Sequence, residues 1–251
     1  MSTPGDVRAA APRYRPAFYA LQGGSWRDYV TLLHPPYTAW HLSYVVLGFA
    51  LAPVVHVERL IASLVAFFLA MGLSAHALDE LAGRPLKTHI PDFTLRLIAV
   101  GGLAAAVAMG IAGSVLVTPW LLAFVVFGLF IAPAYNLEWF GGRFHSDFWF
   151  AFAWGMFPFL TAYWVSGERL ETSALFGAVA AFALSLAQRI LSHRVRELRR
   201  RVRAVEGKVV YANGDVEEID QKWAIEPLER ALMLMALSVS AISVATLAVR
   251  L

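Results

Sequence analysis

An all-α bundle that crosses a bilayer about seven times is what this sequence predicts. Three observations carry that expectation: repeated apolar runs of spanning length, few charged residues, and a one-sided distribution of Lys and Arg. Of the 251 residues, 59% are hydrophobic and 16% charged, whereas soluble domains average about 45–50% and 25%. That much apolar surface exceeds what a single soluble core can bury, so a bilayer must cover part of it. There is no cysteine, so no disulfide framework and no thiolate metal site can form. The net charge is +3, but the basic residues flank apolar spans and form no soluble face. They point to membrane orientation and lipid contact, with no nucleic-acid partner.

Residues 1–36 read as a cytoplasmic arm. They hold Arg8, Arg13, Arg15 and Arg27 without a long apolar run or a small-residue cleavage signature, so no signal peptide is expected. The domain of transmembrane helices then runs over 37–251. A crossing helix needs about 20 apolar residues, and candidate spans fall at roughly 37–55, 60–81, 94–117, 119–136, 147–166, 172–193 and 228–249. All of the 21 Lys and Arg except Arg59, Arg169 and Arg250 lie on the arm's side. That side, holding the N-terminus and the loops after the second, fourth and sixth spans, is expected to be cytoplasmic. Gly102, Ala106, Gly110 and Gly113 stripe the third span and suit close helix contact, within one bundle or between two. Pro133 and Pro158 in the fourth and fifth spans each remove a backbone donor. Trp149, Trp154 and Trp164 read as interfacial or packing aromatics.

The loop 194–222 is the one long hydrophilic segment. It begins as a basic helix extension with Arg194, Arg196, Arg199, Arg200, Arg201 and Arg203, which reads as a lipid-facing positive belt. Asn213-Gly214 then stands between two β-prone runs, the pattern of a two-residue type I′ hairpin. The hairpin is expected to lie over the cytoplasmic mouth.

The chemistry-bearing residues gather at the same membrane face. His76-Ala-Leu-Asp79-Glu80-Leu81 closes the second span and His193-Arg-Val-Arg-Glu197-Leu198 closes the sixth. Residues i and i+4 of a helix share a face, so each motif aims an imidazole and a carboxylate at one point. If the two helices face each other, His76, Glu80, His193 and Glu197, joined by His145, form a metal-ligand set better suited to iron, manganese or zinc than to magnesium. Asp79 adds a ligand or orients one. Tyr135 and Glu138 follow the fourth span. The plain alternative makes each motif an interfacial helix end, with Glu80 paired to Arg84 and Glu197 to Arg201. His34, His41 and His56 have no evident partner and receive no role.

The layout resembles the UbiA superfamily of intramembrane aromatic prenyltransferases. The resemblance rests on His76 to Lys87, with its Arg84-Pro85-Leu86, on Ala134-Tyr135-Asn136 through Gly141-Gly142-Arg143 to Trp154-Gly155 and Pro158, and on His193 to Glu197. It covers roughly residues 40–200. It implies a divalent metal, magnesium in that family, and an isoprenoid diphosphate whose allylic cation is attacked by an aromatic acceptor. It further implies Arg84, Lys87 and Arg143 as diphosphate-binding residues; Asp79, Tyr135 and Glu138 are the candidate catalytic residues. Histidine and glutamate replace the family's aspartate-rich motifs here, and the chain has one further span where the family has three. Magnesium prefers oxygen ligands. The expected function is therefore metal-dependent prenyl transfer on a hydrophobic substrate. The alternatives are a di-metal oxidase, hydroxylase or hydrolase, or a lipid-binding or scaffold protein without catalysis.

Overall fold

A computed structural model describes residues 15–21 and 24–251. Arg8 and Arg13 of the expected arm lie outside them. The rest of the arm holds a short helix, α1 (Trp26–Leu32). Then follow α2 (Pro35–Leu51), α3 (Val57–Leu81), α4 (Asp92–Leu116), α5 (Leu121–Asn136), α6 (Asp147–Gly167), α7 (Thr172–Arg200), strands β1 (Gly207–Val210) and β2 (Val216–Ile219), and α8 (Gln221–Ala248).

Five helices, α3, α4, α6, α7 and α8, are long and apolar enough to cross a membrane. The chain is thus a multi-pass helical membrane protein whose apolar faces contact lipid. Two of the seven expected spans are shorter: α2 has 17 residues and α5 has 16, or about 25 Å each at 1.5 Å per residue. Pro53 explains the first, because the residue before a proline is disfavoured in the helical region; Ala52 is extended, with ψ 156°.

Side chains at the helix crossings set how closely the bundle closes. α2 packs most extensively on α6 and α8, around Trp40, Tyr44, Phe159 and Tyr163, all almost fully buried. Gly48 lets α2 approach α6: a Cβ there would lie 2.5 Å from the Phe159 carbonyl oxygen. The glycine stripe of α4 packs inside the bundle, Gly102 against Leu69 of α3 and Gly113 against Leu121 of α5.

Two helices change their winding partway. α3 is π-helical over Phe68–Ala75 and α6 over Phe152–Met156. Such stretches bond i to i+5, so the residues beyond them present a different face from an uninterrupted α-helix.

The hairpin forms, antiparallel, with Gly207 opposite Ile219 and Val210 opposite Val216. Its turn differs from the expected type I′. The Gly214 amide donates to the Tyr211 carbonyl, the Tyr211 amide donates to Asp215, and the positive φ falls on Gly214 and not on Asn213. The Asn213 side chain accepts from the Asp215 amide, which relieves Asn213 of the left-handed conformation and makes a longer loop closed by glycine.

Candidate functional site

A polar chamber of about 350 Å³ opens among the helix ends on the hairpin side of the bundle. Its walls are His34, Tyr37 and His41 around the start of α2, His76 and Asp79 of α3, Tyr135 and Asn136 of α5, Phe150 and Trp154 of α6, and Gln188 to Arg201 along one face of α7. Residues 16–19 form a further wall. No hairpin residue lines the chamber, so the expected cover over the mouth comes from the N-terminal strap. The Arg199 and Arg200 guanidiniums donate to the carbonyls of Arg15 and Pro16 and tie that strap down.

The expected site residues divide sharply. His76, Asp79, Tyr135, Glu138, His145, His193 and Glu197 all line this one chamber. Glu80 does not. It is fully buried, and its carboxylate accepts hydrogen bonds from the Leu86 amide at 2.9 Å, the Thr88 amide at 2.9 Å and the Thr88 hydroxyl at 2.8 Å. Both of its oxygens are engaged in shaping the loop after α3, so of the i, i+4 pair only His76 reaches the chamber while Glu80 is turned to the loop. Arg84, Lys87 and Arg143 are also absent from the walls. Arg84 pairs with Asp92 and donates to the carbonyls of Thr88 and Ile90. Glu197 pairs with Arg194 at 2.7 Å and not with Arg201.

The imidazoles are held in defined tautomers. A carbonyl can only accept, so His76 donates from Nδ1 to Gly72 O (3.1 Å), His41 to Trp154 O (2.8 Å) and His145 to Tyr135 O (3.0 Å). In the neutral ring each Nε2 then carries a free lone pair. Gly72 and Trp154 belong to the two π-helical stretches. His34 meets His76 edge to face, ring centroids 4.0 Å apart. Burial, followed by the nearby His76, Arg200 and Arg196, holds His34 well below the usual histidine range. Tyr135 stacks on His145 at 4.5 Å and touches Trp154 at 4.5 Å.

Three buried polar atoms on these walls lack a hydrogen-bond partner among the described residues: His34 Nδ1, the Tyr135 hydroxyl and Gln188 Oε1. Buried polar groups are rarely left unpaired, and all three belong to residues on the walls of this one cavity. Glu138 stands at its rim with a left-handed backbone, φ 52° and ψ 40°, strain of a kind that concentrates at functional sites.

An apolar groove of about 510 Å³ runs away from the chamber. Its walls come from α3, α4, α5 and α6, including Ala66, Ala70, Gly110 and Gly128, and it reaches Glu58 and Arg59 at the far end of α3. Ala75 and Trp154 line both cavities. Each lies in a π-helical stretch.

The donor set does not fit a metal ion as the sequence arranged it. Among the described residues no three His, Asp or Glu side chains stand close enough to share one. Glu80 serves the loop, Glu197 is paired, and His145 lies against Tyr135.

Several wall residues had no part in the sequence expectation. The sequence offers no partner for His34 or His41, and the spacing of Arg196, Arg200 and Arg201 suits a lipid-facing belt; all five line the chamber with Gln188 and Arg189. The signal was present: residues 189, 193, 196 and 200 follow i, i+4, i+7, i+11 spacing, a single helix face, and Gln188 and Arg189 fall within a spanning helix, where polar groups are costly.

Fold and site together define a multi-pass helical membrane protein with a polar chamber, rich in arginine and histidine, beside an apolar groove. No protein-family model, curated protein or solved structure matches the chain.

Proposed function

We propose that this chain is a membrane enzyme that takes an amphiphile with a phosphate or diphosphate head, and that its reaction is transfer of a prenyl group from a prenyl diphosphate to a lipid-soluble aromatic acceptor. The observation that carries this reading is that Ala75 and Trp154 line both a polar chamber and an apolar groove, which sets the two cavities side by side. Such a shape places a charged head among guanidiniums and a hydrocarbon tail among helices. The groove follows α3 from Glu58 to Ala75, about 25 Å at 1.5 Å per residue, close to the thickness of a hydrocarbon core.

In this reading the bond between the allylic carbon and the diphosphate oxygen breaks, and its electron pair leaves with the diphosphate. Positive charge develops on the carbon at the head-to-tail junction, beside the faces of Trp154 and Tyr135, where an aromatic ring stabilises a cation. The acceptor ring attacks that carbon and then loses a proton, and the His76 Nε2 lone pair, fixed by the bond from Nδ1 to Gly72 O, is the base in reach of the chamber. The clustered arginines stabilise the departing negative charge. The resemblance of His76 to Lys87 and of Tyr135 to Pro158 to the UbiA motifs supports the same reaction class.

The test is release of pyrophosphate by purified protein given prenyl diphosphates of several lengths and a lipid-soluble aromatic acceptor. Release that requires both substrates is expected. Tight binding of the prenyl diphosphate with no release across the panel would replace this reading with that of a lipid-binding protein.

A further inference from the structure

Arg196 extends from α7 into the chamber, half-buried, and makes no hydrogen bond or ion pair with any described residue. Its neighbours on the helix are engaged: Arg189 with Asp147 at 2.9 Å, Arg194 with Glu197 at 2.7 Å, Arg199 with Glu229 at 2.5 Å. Arg189 and Arg200 repel Arg196, while Asp79 is the carboxylate that attracts it. A half-buried guanidinium among like charges is unfavourable unless an anion joins them. Around it stand the partnerless Tyr135 hydroxyl, His34 Nδ1 and the Gln188 amide, which can turn its nitrogen inward. Each can donate to a phosphate oxygen.

A divalent cation meets the opposite conditions. It would enter a chamber whose walls hold Arg189, Arg196, Arg200 and Arg201, where Coulomb repulsion acts at low dielectric, and although Asp79, Glu138, Glu197 and five histidines line the same walls, no three acidic or imidazole side chains among the described residues stand close enough to hold it.

We propose that the phosphate end of the ligand is bound by direct guanidinium contact, from Arg196 with Arg189 and Arg200 beside it, and with no bridging divalent cation. Planar guanidinium forks match phosphate oxygens two at a time. The inference rests on the reading of the chamber as a site for an anionic head, and it departs from the metal-held diphosphate that the family resemblance implies.

Calorimetric binding of inorganic diphosphate to the full-length protein in lipid nanodiscs, once in EDTA and once in magnesium, tests it. Equal affinity in both buffers is expected. Arg196→Gln is expected to weaken binding by roughly tenfold or more, as loss of a charge-assisted contact does. Arg196→Lys should fall between, and Arg143→Gln should bind as the parent does. The unliganded Arg196→Gln protein should melt no lower than the parent, because a repelled charge has been removed, and that separates lost binding from lost folding. Binding that requires magnesium and vanishes in EDTA, or that survives Arg196→Gln unchanged, overturns the proposal while leaving the anionic-head reading in place. No binding in either buffer overturns both.

Discussion

Glu80 and Thr88 are joined twice, the Thr88 amide and hydroxyl both donating to Glu80 Oε1 at 2.9 and 2.8 Å. With the Leu86 amide on the other oxygen, a fully buried carboxylate folds back the loop that follows α3. This carboxylate is half of the repeated His-x-x-x-Glu pattern, and the hydrogen bonds it accepts come from that loop.

Glu80→Ala should therefore cost stability. It leaves two amides and a hydroxyl without their acceptor, a loss of about 3 kcal/mol or more. Thermal melting in detergent should show it clearly, with His76→Ala melting closer to the parent. A Glu80→Ala protein with unchanged melting and lost activity would return this residue to the chemistry.

His34 should make stability depend on pH. Its folded pKa is held below the usual value by burial and by neighbouring positive charge, so the unfolded chain binds the proton more readily. The stabilisation is present above the unfolded pKa of about 6.5 and is lost as pH falls below it, at up to about 1.4 kcal/mol per pH unit. Melting of the parent should drop between pH 7 and pH 5, and His34→Gln should flatten that drop. Parallel curves for the two would show that His34 does not contribute.

Gly128 lines the groove, and a Cβ there meets Phe157 at an ordinary 3.5 Å. Gly128→Leu should fold and partly fill the groove. Affinity for long-chain prenyl diphosphates is expected to fall severalfold while inorganic diphosphate binds as before. An equal loss for both ligands would mean that the groove does not hold the tail.

Gly155 lies where α6 crosses α7. A Cβ there would stand 2.5 Å from both the Ala181 carbonyl oxygen and the Ser185 hydroxyl, so Gly155→Ala must push the two helices apart. A destabilisation of about 1–3 kcal/mol is expected, read as a lower melting temperature. Unchanged melting would show that this crossing tolerates a methyl group.

The sequence by itself determined that the chain is a helical membrane bundle, because spanning length and apolar composition are local properties that lipid enforces without reference to neighbours. It determined the hairpin's existence as well, and the gathering of most chemistry-bearing residues at one end. Tertiary structure decided which of those side chains meet. Helical spacing says that His76 and Glu80 share a face, but not what that face looks at; the π-helical winding before His76 and the fold-back of residues 82–90 turned Asp79 to the chamber and Glu80 to the loop. The basic stripe on α7 looked like a lipid-facing belt in the sequence, since an arginine beside lipid and an arginine beside a cavity have the same spacing. Packing α7 against α6 and α8 placed its Arg196 face inward, and the balance of charge at that face followed from which helices surround it.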